Sequence, residues 1–304
     1  MAVTAKMVKE LRERTGAGMM DCKNVLVETD GDIEKAIELL REKGLAKAAK
    51  KAGRVASQGL VNLAFASDGS SAAAVEVNAE TDFVAKNEEF IGFVNDLAGI
   101  ALDSDVKDVD AFMNLSYKDE GTITEALNNK ISKIGENMNI RRFEKFKSPG
   151  VVYTGYIHGG GKIGVIIGLK TEAAVDEVTV MGKDVAMQVA SMNPKYISEK
   201  DVDPEYIESE KKILIHQALN EGKPKEIVEK MVEGRLKKEL KETCLLEQDF
   251  VKDGDVTVAK YVKEAAEELG KTVEVVEMLR YEVGEGIEKN EENFAEEVAK
   301  QMNN

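Results

Sequence analysis

Two stretches of this chain hold residue types that could do chemistry. The first is Gly155-Tyr156-Ile157-His158-Gly159-Gly160-Gly161-Lys162, which has the glycines and the lysine of a phosphate-binding loop. Such a loop needs a glycine five residues before Gly161, and Tyr156 stands there. It also needs Ser or Thr after the lysine to hold magnesium, and Ile163 follows. A Gly-rich turn between two strands accounts for the stretch better. His158, at its edge, is exposed by position and could contact a partner.

The second stretch runs from Glu76 through Thr81-Asp82-Phe83-Val84 to Lys86. Its carboxylates could bind a metal, but their spacing matches no metal loop, and a solvated acidic face explains them. Phe83 is its one large apolar side chain, flanked by Asp82 and Lys86 where a strand hands over to a helix. It is either the helix's first core contact or an outward wedge for a partner. Elsewhere the chemistry is sparse. The two histidines, His158 and His216, lie in no metal-ligand spacing, and no serine or cysteine nucleophile motif is present. These residues argue against an enzyme and call for no cofactor or metal.

The elements that would position these stretches are mostly helices and short hairpins. Thr4 is a plausible N-cap for a helix over 4–14, with Val8 and Leu11 inward. Thr15-Gly16-Ala17-Gly18 breaks it, and helices over 19–28 and 32–43 follow across an Asp30-Gly31 turn. Met19 and Met20 are adjacent, so they point about 100° apart on a helix and one must leave the small core. Residues 44–54 form a basic Ala/Lys linker that could be helical.

From Ser57 the pattern becomes period-two and β-branched. Strands at 60–66 and 72–77 flank a Gly69-containing turn, and a helix over 88–101 follows. Residues 103–121 are acidic and irregular, and a helix over 123–134 comes next. Strands at 150–157 and 162–170 then precede a helix over 183–192. Hairpin-then-helix thus occurs twice, which predicts an internal repeat. Charged helices over 204–221 and 225–239 form a helical hairpin with a seam of Ile207, Ile213, Leu214, Leu219, Ile227, Met231 and Leu236. A helix over 257–269, a strand over 272–282 and a terminal helix over 291–301 complete the reading.

The expected class is α+β: an N-terminal three-helix UBA-like bundle, a two-subdomain core, an inserted helical hairpin and a C-terminal helix module. The expected divisions are 1–54, 55–145, 146–200, 201–243, 244–284 and 285–304. The chain has 304 residues, 33% charged and 5% aromatic, which suits helix-rich architecture with solvated faces. The net charge is −15, yet residues 1–54 carry +3 and the remainder −18. An acidic body argues against nucleic acid, since phosphate affinity comes from concentrated positive charge. A basic head on such a body suggests a protein partner met partly by electrostatic steering. No apolar run approaches the roughly 20 residues that span a bilayer, and the N-terminus lacks a secretory apolar segment. Cys22 and Cys244, far apart, suit a reducing cytosol. The expected location is cytoplasmic.

Several separated segments resemble one family. Leu11 to Lys23 is similar to the N-terminal signature of bacterial elongation factor Ts, and Glu76 to Asn87 to its second signature. Lys133-Ile134-Gly135-Glu136-Asn137, Lys223 to Ile227 and Tyr281 to Glu288 add three more. The resemblance implies a guanine-nucleotide exchange factor of elongation factor Tu, without covalent catalysis. It implies that Thr81, Asp82, Phe83 and Val84 insert against two helices of Tu's GTPase domain and disturb its Mg²⁺ and GDP phosphate site. It places Arg12, Met19, Met20 and Lys23 of the head on that domain. Ile134, Gly135 and His158 would meet Tu's far β domain or nearby helices. The hairpin over 204–241 resembles a segment that joins factor molecules in some members, so a homodimer through it is an expectation. The competing readings are an adaptor with a ubiquitin-associated head and an enzyme built on the acidic cluster. Nucleotide separates them: an exchange factor binds none itself and titrates with elongation factor Tu.

Overall fold

The structure, a computed structural model, describes residues 3–15, 17–222 and 224–287, with side chains left out for residues 225, 226 and 229. The expected terminal helix over 291–301 lies outside the described residues. The chain is α+β and divides into two compact units. The first comprises residues 1–61, 75–144 and 283–304, and the second 62–74 and 145–282.

In the first unit, α1 (Ala5–Thr15), α2 (Met19–Glu28) and α3 (Ile33–Lys51) form the head. Thr4 starts α1, its Oγ1 accepting from the Met7 N–H at 3.3 Å. Val8, Leu11, Cys22, Val25, Leu26 and Ala36 close a core of their own. The Ala/Lys stretch is helical through Lys51, as the continuation of α3. Strong helix formers carry the helix on, and Gly44 and Ala48 are buried along it.

Three strands, β1 (Gln58–Phe65), β2 (Ala72–Ala79) and β3 (Met138–Phe146), pair in the order β1-β2-β3. The central β2 is buried at every position, as its run of small and β-branched residues requires when both faces are covered. Two of its residues are polar, Glu76 and Asn78, and alternation puts them on one face. Strand β3 goes unread in the sequence because Arg141, Arg142, Glu144 and Lys145 mask its period-two pattern. Those two arginines answer the buried Glu76. After β2 come α4 (Asp82–Ala85), α5 (Glu88–Asp103), α6 (Val109–Met113) and α7 (Ile123–Ile134). The acidic stretch 103–121, expected to be irregular, therefore contains the short α6, N-capped by the Asp108 carboxylate. Helix α7 opens on a Thr122–Glu125 capping box and ends at Gly135, whose φ of 92° is left-handed.

In the second unit, β4 (Val151–His158), β5 (Ile163–Thr171) and β8 (Val273–Glu282) form an antiparallel sheet in the order β4-β5-β8. Helix α8 (Val175–Met192) covers β4 and β5 and starts well before the expected residue 183. Its first turns are rich in β-branched valine, which hides the helical signal, yet Val178, Met181, Val185 and Val189 are buried at helical spacing. The hairpin of α9 (Pro204–Asn220) and α10 (Lys225–Thr243) follows. Its seam differs from expectation: Ile213, Leu219 and Ile227 are exposed. The seam uses Leu214, Ala218, Val228 and Val232 near the tip and Val202, Leu236 and Leu240 near the base. A small pair of strands, β6 (Asp249–Phe250) and β7 (Asp253–Thr257), and α11 (Val258–Leu269) lead back to β8.

Candidate functional site

Phe83 resolves its own ambiguity by facing outward. It sits on the four-residue helix α4 and is 80% exposed, while the next two residues, Val84 and Ala85, are buried. Single exposed apolar side chains are ordinary on a protein surface, and Val180 is another here, so the exposure fixes where Phe83 points and not what it does. Thr81 caps α4, its Oγ1 accepting from the Val84 N–H at 3.4 Å. Asp82 pairs with Lys86 at 2.6 Å across the single turn. Asn87 caps the following α5, accepting from the Glu89 and Phe90 N–H groups.

The turn is fastened from outside by the segment that leaves α7. The Glu136 carboxylate accepts from the Thr81 N–H at 3.0 Å and from the Thr81 hydroxyl at 2.7 Å. In return, the Glu80 carboxylate accepts from the Asn137 N–H. The Asn137 side chain donates to the Arg54 carbonyl at 2.7 Å, and the Arg54 guanidinium lies 3.6 Å from Glu80. The left-handed Gly135 makes the bend that brings Glu136 and Asn137 to this place. Further along α7, Lys130 is buried over the rings of Phe93 and Tyr117, at 5.3 and 5.8 Å. Glu89, in the first turn of α5, meets Lys130 at 3.5 Å and Lys133 at 2.8 Å. Burial works against the Glu89 charge, but the two lysines hold its carboxyl below the usual carboxylate range. Both flanks of the Phe83 turn are thus tied to α7 or its exit.

The first unit therefore brings Thr81, Asp82, Phe83 and Val84 together with the exit of α7, where Ile134 is half-buried and Gly135 exposed. On the head, Arg12, Met19, Met20 and Lys23 are all exposed. The expectation that only one methionine leaves the core is corrected: Met19 is 59% and Met20 63% exposed. Cys22, Val25 and Leu26 occupy the inner face of α2 and leave no room for either. His158 belongs to the second unit, exposed at the end of β4, its Nδ1 sharing a 3.0 Å hydrogen bond with the Tyr156 hydroxyl. The glycines after it, Gly159 to Gly161, all have positive φ and make the turn from β4 to β5.

Glu76 in β2, Glu136 and Asn137 lie within the recognised motifs, but no local pattern marks what they do. Glu76 is fully buried and accepts from the Gly284 N–H at 2.8 Å, from Asn78 at 3.1 Å, and from Arg141 and Arg142 at 3.1 and 2.6 Å. Burial disfavours its charge, yet these donors together hold its carboxyl below the usual carboxylate range. Among the described residues no cluster of His, Cys, Asp or Glu is arranged to hold a metal, and no helix is long and apolar enough to cross a membrane.

Residues 80–285 match the family model described as Elongation factor TS. The chain is 59% identical over 300 residues to Elongation factor Ts of Clostridioides difficile strain 630, covering 99% of both chains. It is 57% identical over 303 residues to Elongation factor Ts of Clostridium novyi strain NT, again covering 99% of both. It is 54% identical over 302 residues to Elongation factor Ts of Clostridium tetani strain Massachusetts / E88.

Proposed function

The chain belongs to the elongation factor Ts family of translation elongation factors, and from that premise we propose that it is the guanine-nucleotide exchange factor of elongation factor Tu. The observation that carries the mechanism is Phe83, 80% exposed on a turn fastened at both ends. Asp82 and Phe83 enter between two helices of the GTPase domain, beside the site that holds Mg²⁺ and the GDP phosphates. Mg²⁺ is the largest local positive charge on those phosphates, so displacing it, or the backbone N–H groups around them, weakens GDP binding. No bond is made or broken, so the protein is an exchange factor and not an enzyme in the covalent sense.

Thr81 and Val84 frame the wedge, with Val84 seated in the core and Thr81 clamped. Arg12, Met19, Met20 and Lys23 supply a second contact from the head, where exposed methionines give an adaptable surface. Ile134, Gly135 and His158 supply further contacts. We read the head as UBA-like, and the two hairpin-plus-helix units as a repeat in which the second hairpin strand is central each time. The α9–α10 hairpin, with Ile213 and Ile227 exposed, is the surface for a homodimer. The protein acts in the cytoplasm and contacts neither nucleic acid nor membrane directly.

Linkage supplies the test. If this protein weakens GDP on elongation factor Tu by some ratio, GDP must weaken this protein on Tu by the same ratio. Titrating it against Tu at rising GDP concentration will show affinity falling as nucleotide rises, and the chain alone will bind no nucleotide. Affinity for Tu that is indifferent to GDP would contradict the proposal.

A further inference from the structure

We infer that Glu136 is a positioning residue that aims Phe83, an inference that rests on the exchange function proposed above. Helix α4 has four residues and cannot hold itself in water, since a single turn fixes several dihedrals for one hydrogen bond. Its direction must come from what surrounds it. Val84 and Ala85 seat one side of the turn in the core, which sets its depth. Its direction is set at Thr81, where one carboxylate takes both the N–H and the hydroxyl. That fork leaves Thr81 no free donor and fixes the residue whose oxygen caps α4. Among the described residues Glu136 makes no hydrogen bond or ion pair besides these two, and the segment carrying it is itself fixed by Asn137 on Glu80.

A ring held in its docking direction before contact avoids the ordering cost at the moment of binding. A ring that samples other directions docks only from the competent fraction, and apparent affinity falls by that fraction. The effect of Glu136 therefore falls on how much protein is needed, and that of Phe83 on how fast nucleotide leaves once bound.

The experiment is release of fluorescent GDP from elongation factor Tu over a range of concentrations of full-length wild type, Glu136→Ala and Glu136→Gln. For Glu136→Ala the half-saturating concentration rises about tenfold, while the saturated rate stays within about twofold of wild type. Glu136→Gln falls between, because its amide oxygen still accepts one of the two Thr81 bonds. In a Phe83→Ala background, Glu136→Ala shifts half-saturation by less than about twofold, since no ring remains to aim. Amide hydrogen exchange in the free variant, at unchanged melting temperature, is faster at Thr81 and Val84. An unchanged half-saturation in Glu136→Ala overturns the inference, as does an equal loss with and without Phe83. If wild type itself fails to accelerate release, the exchange function falls instead. The clamp is then judged by amide exchange alone, and unchanged exchange at Thr81 and Val84 overturns it.

Discussion

Replacing Phe83 with alanine will slow the saturated rate of GDP release from elongation factor Tu by roughly 30-fold, the scale of about 2 kcal/mol at an aromatic hot spot. The fold will not notice. The ring is 80% exposed, and substitutions at such positions change stability by no more than about 0.5 kcal/mol. Binding to Tu will weaken less than the rate, because the contacts proposed for the head and for Ile134 and Gly135 do not involve the ring. Stopped-flow fluorescence at saturating protein, with thermal unfolding as the control, measures both. A Phe83→Ala variant that releases GDP at the wild-type rate would remove the wedge from the mechanism while leaving exchange itself in place.

The largest effect on stability belongs to Glu76. Alanine there leaves Arg141, Arg142 and the Gly284 N–H facing an empty site at the centre of β2. Removing one partner from such a buried charged cluster costs about 3–5 kcal/mol. Urea unfolding of Glu76→Ala at pH 7 should show that loss as a lower midpoint with little change in slope. The pH dependence carries a sign. Glu76 is held below its ordinary value of 4.5 in the folded state, so the unfolded chain takes up its proton first. Its contribution is complete above that ordinary value and is lost as pH falls through the lower folded value. The stability gap between wild type and Glu76→Gln should therefore narrow as the solution is acidified below about pH 4.5. A gap of constant size down to acid unfolding would mean that the carboxylate's charge contributes nothing.

What could be seen in the sequence follows the range of the interactions involved. Helices α5 and α7 are legible because their apolar spacing is local, and the structure adds local caps at Asn87 and the Thr122–Glu125 pair. The start of α8 is not legible, since valine-rich turns look like strand until packing against β4 and β5 decides. Strand β3 was hidden by Arg141 and Arg142, whose partner Glu76 lies more than sixty residues earlier. The same distance effect governs the site. Phe83 stood out by type and place, but nothing near it says whether it points in or out; burial of Val84 and Ala85 settles that. Glu136 joins Thr81 across 55 residues, a pairing that only the bend at Gly135 and the β2–β3 neighbourhood bring about. In the head, both methionines are outside because Cys22, Val25 and Leu26 already fill a three-helix core too small to take more.

Exchange is measured most directly as the release of fluorescent GDP from elongation factor Tu on mixing with this protein. The predicted result is release that accelerates with protein concentration and reaches a plateau well above the spontaneous rate. Release that stays at the spontaneous rate at every concentration, with the complex shown to form, would contradict it.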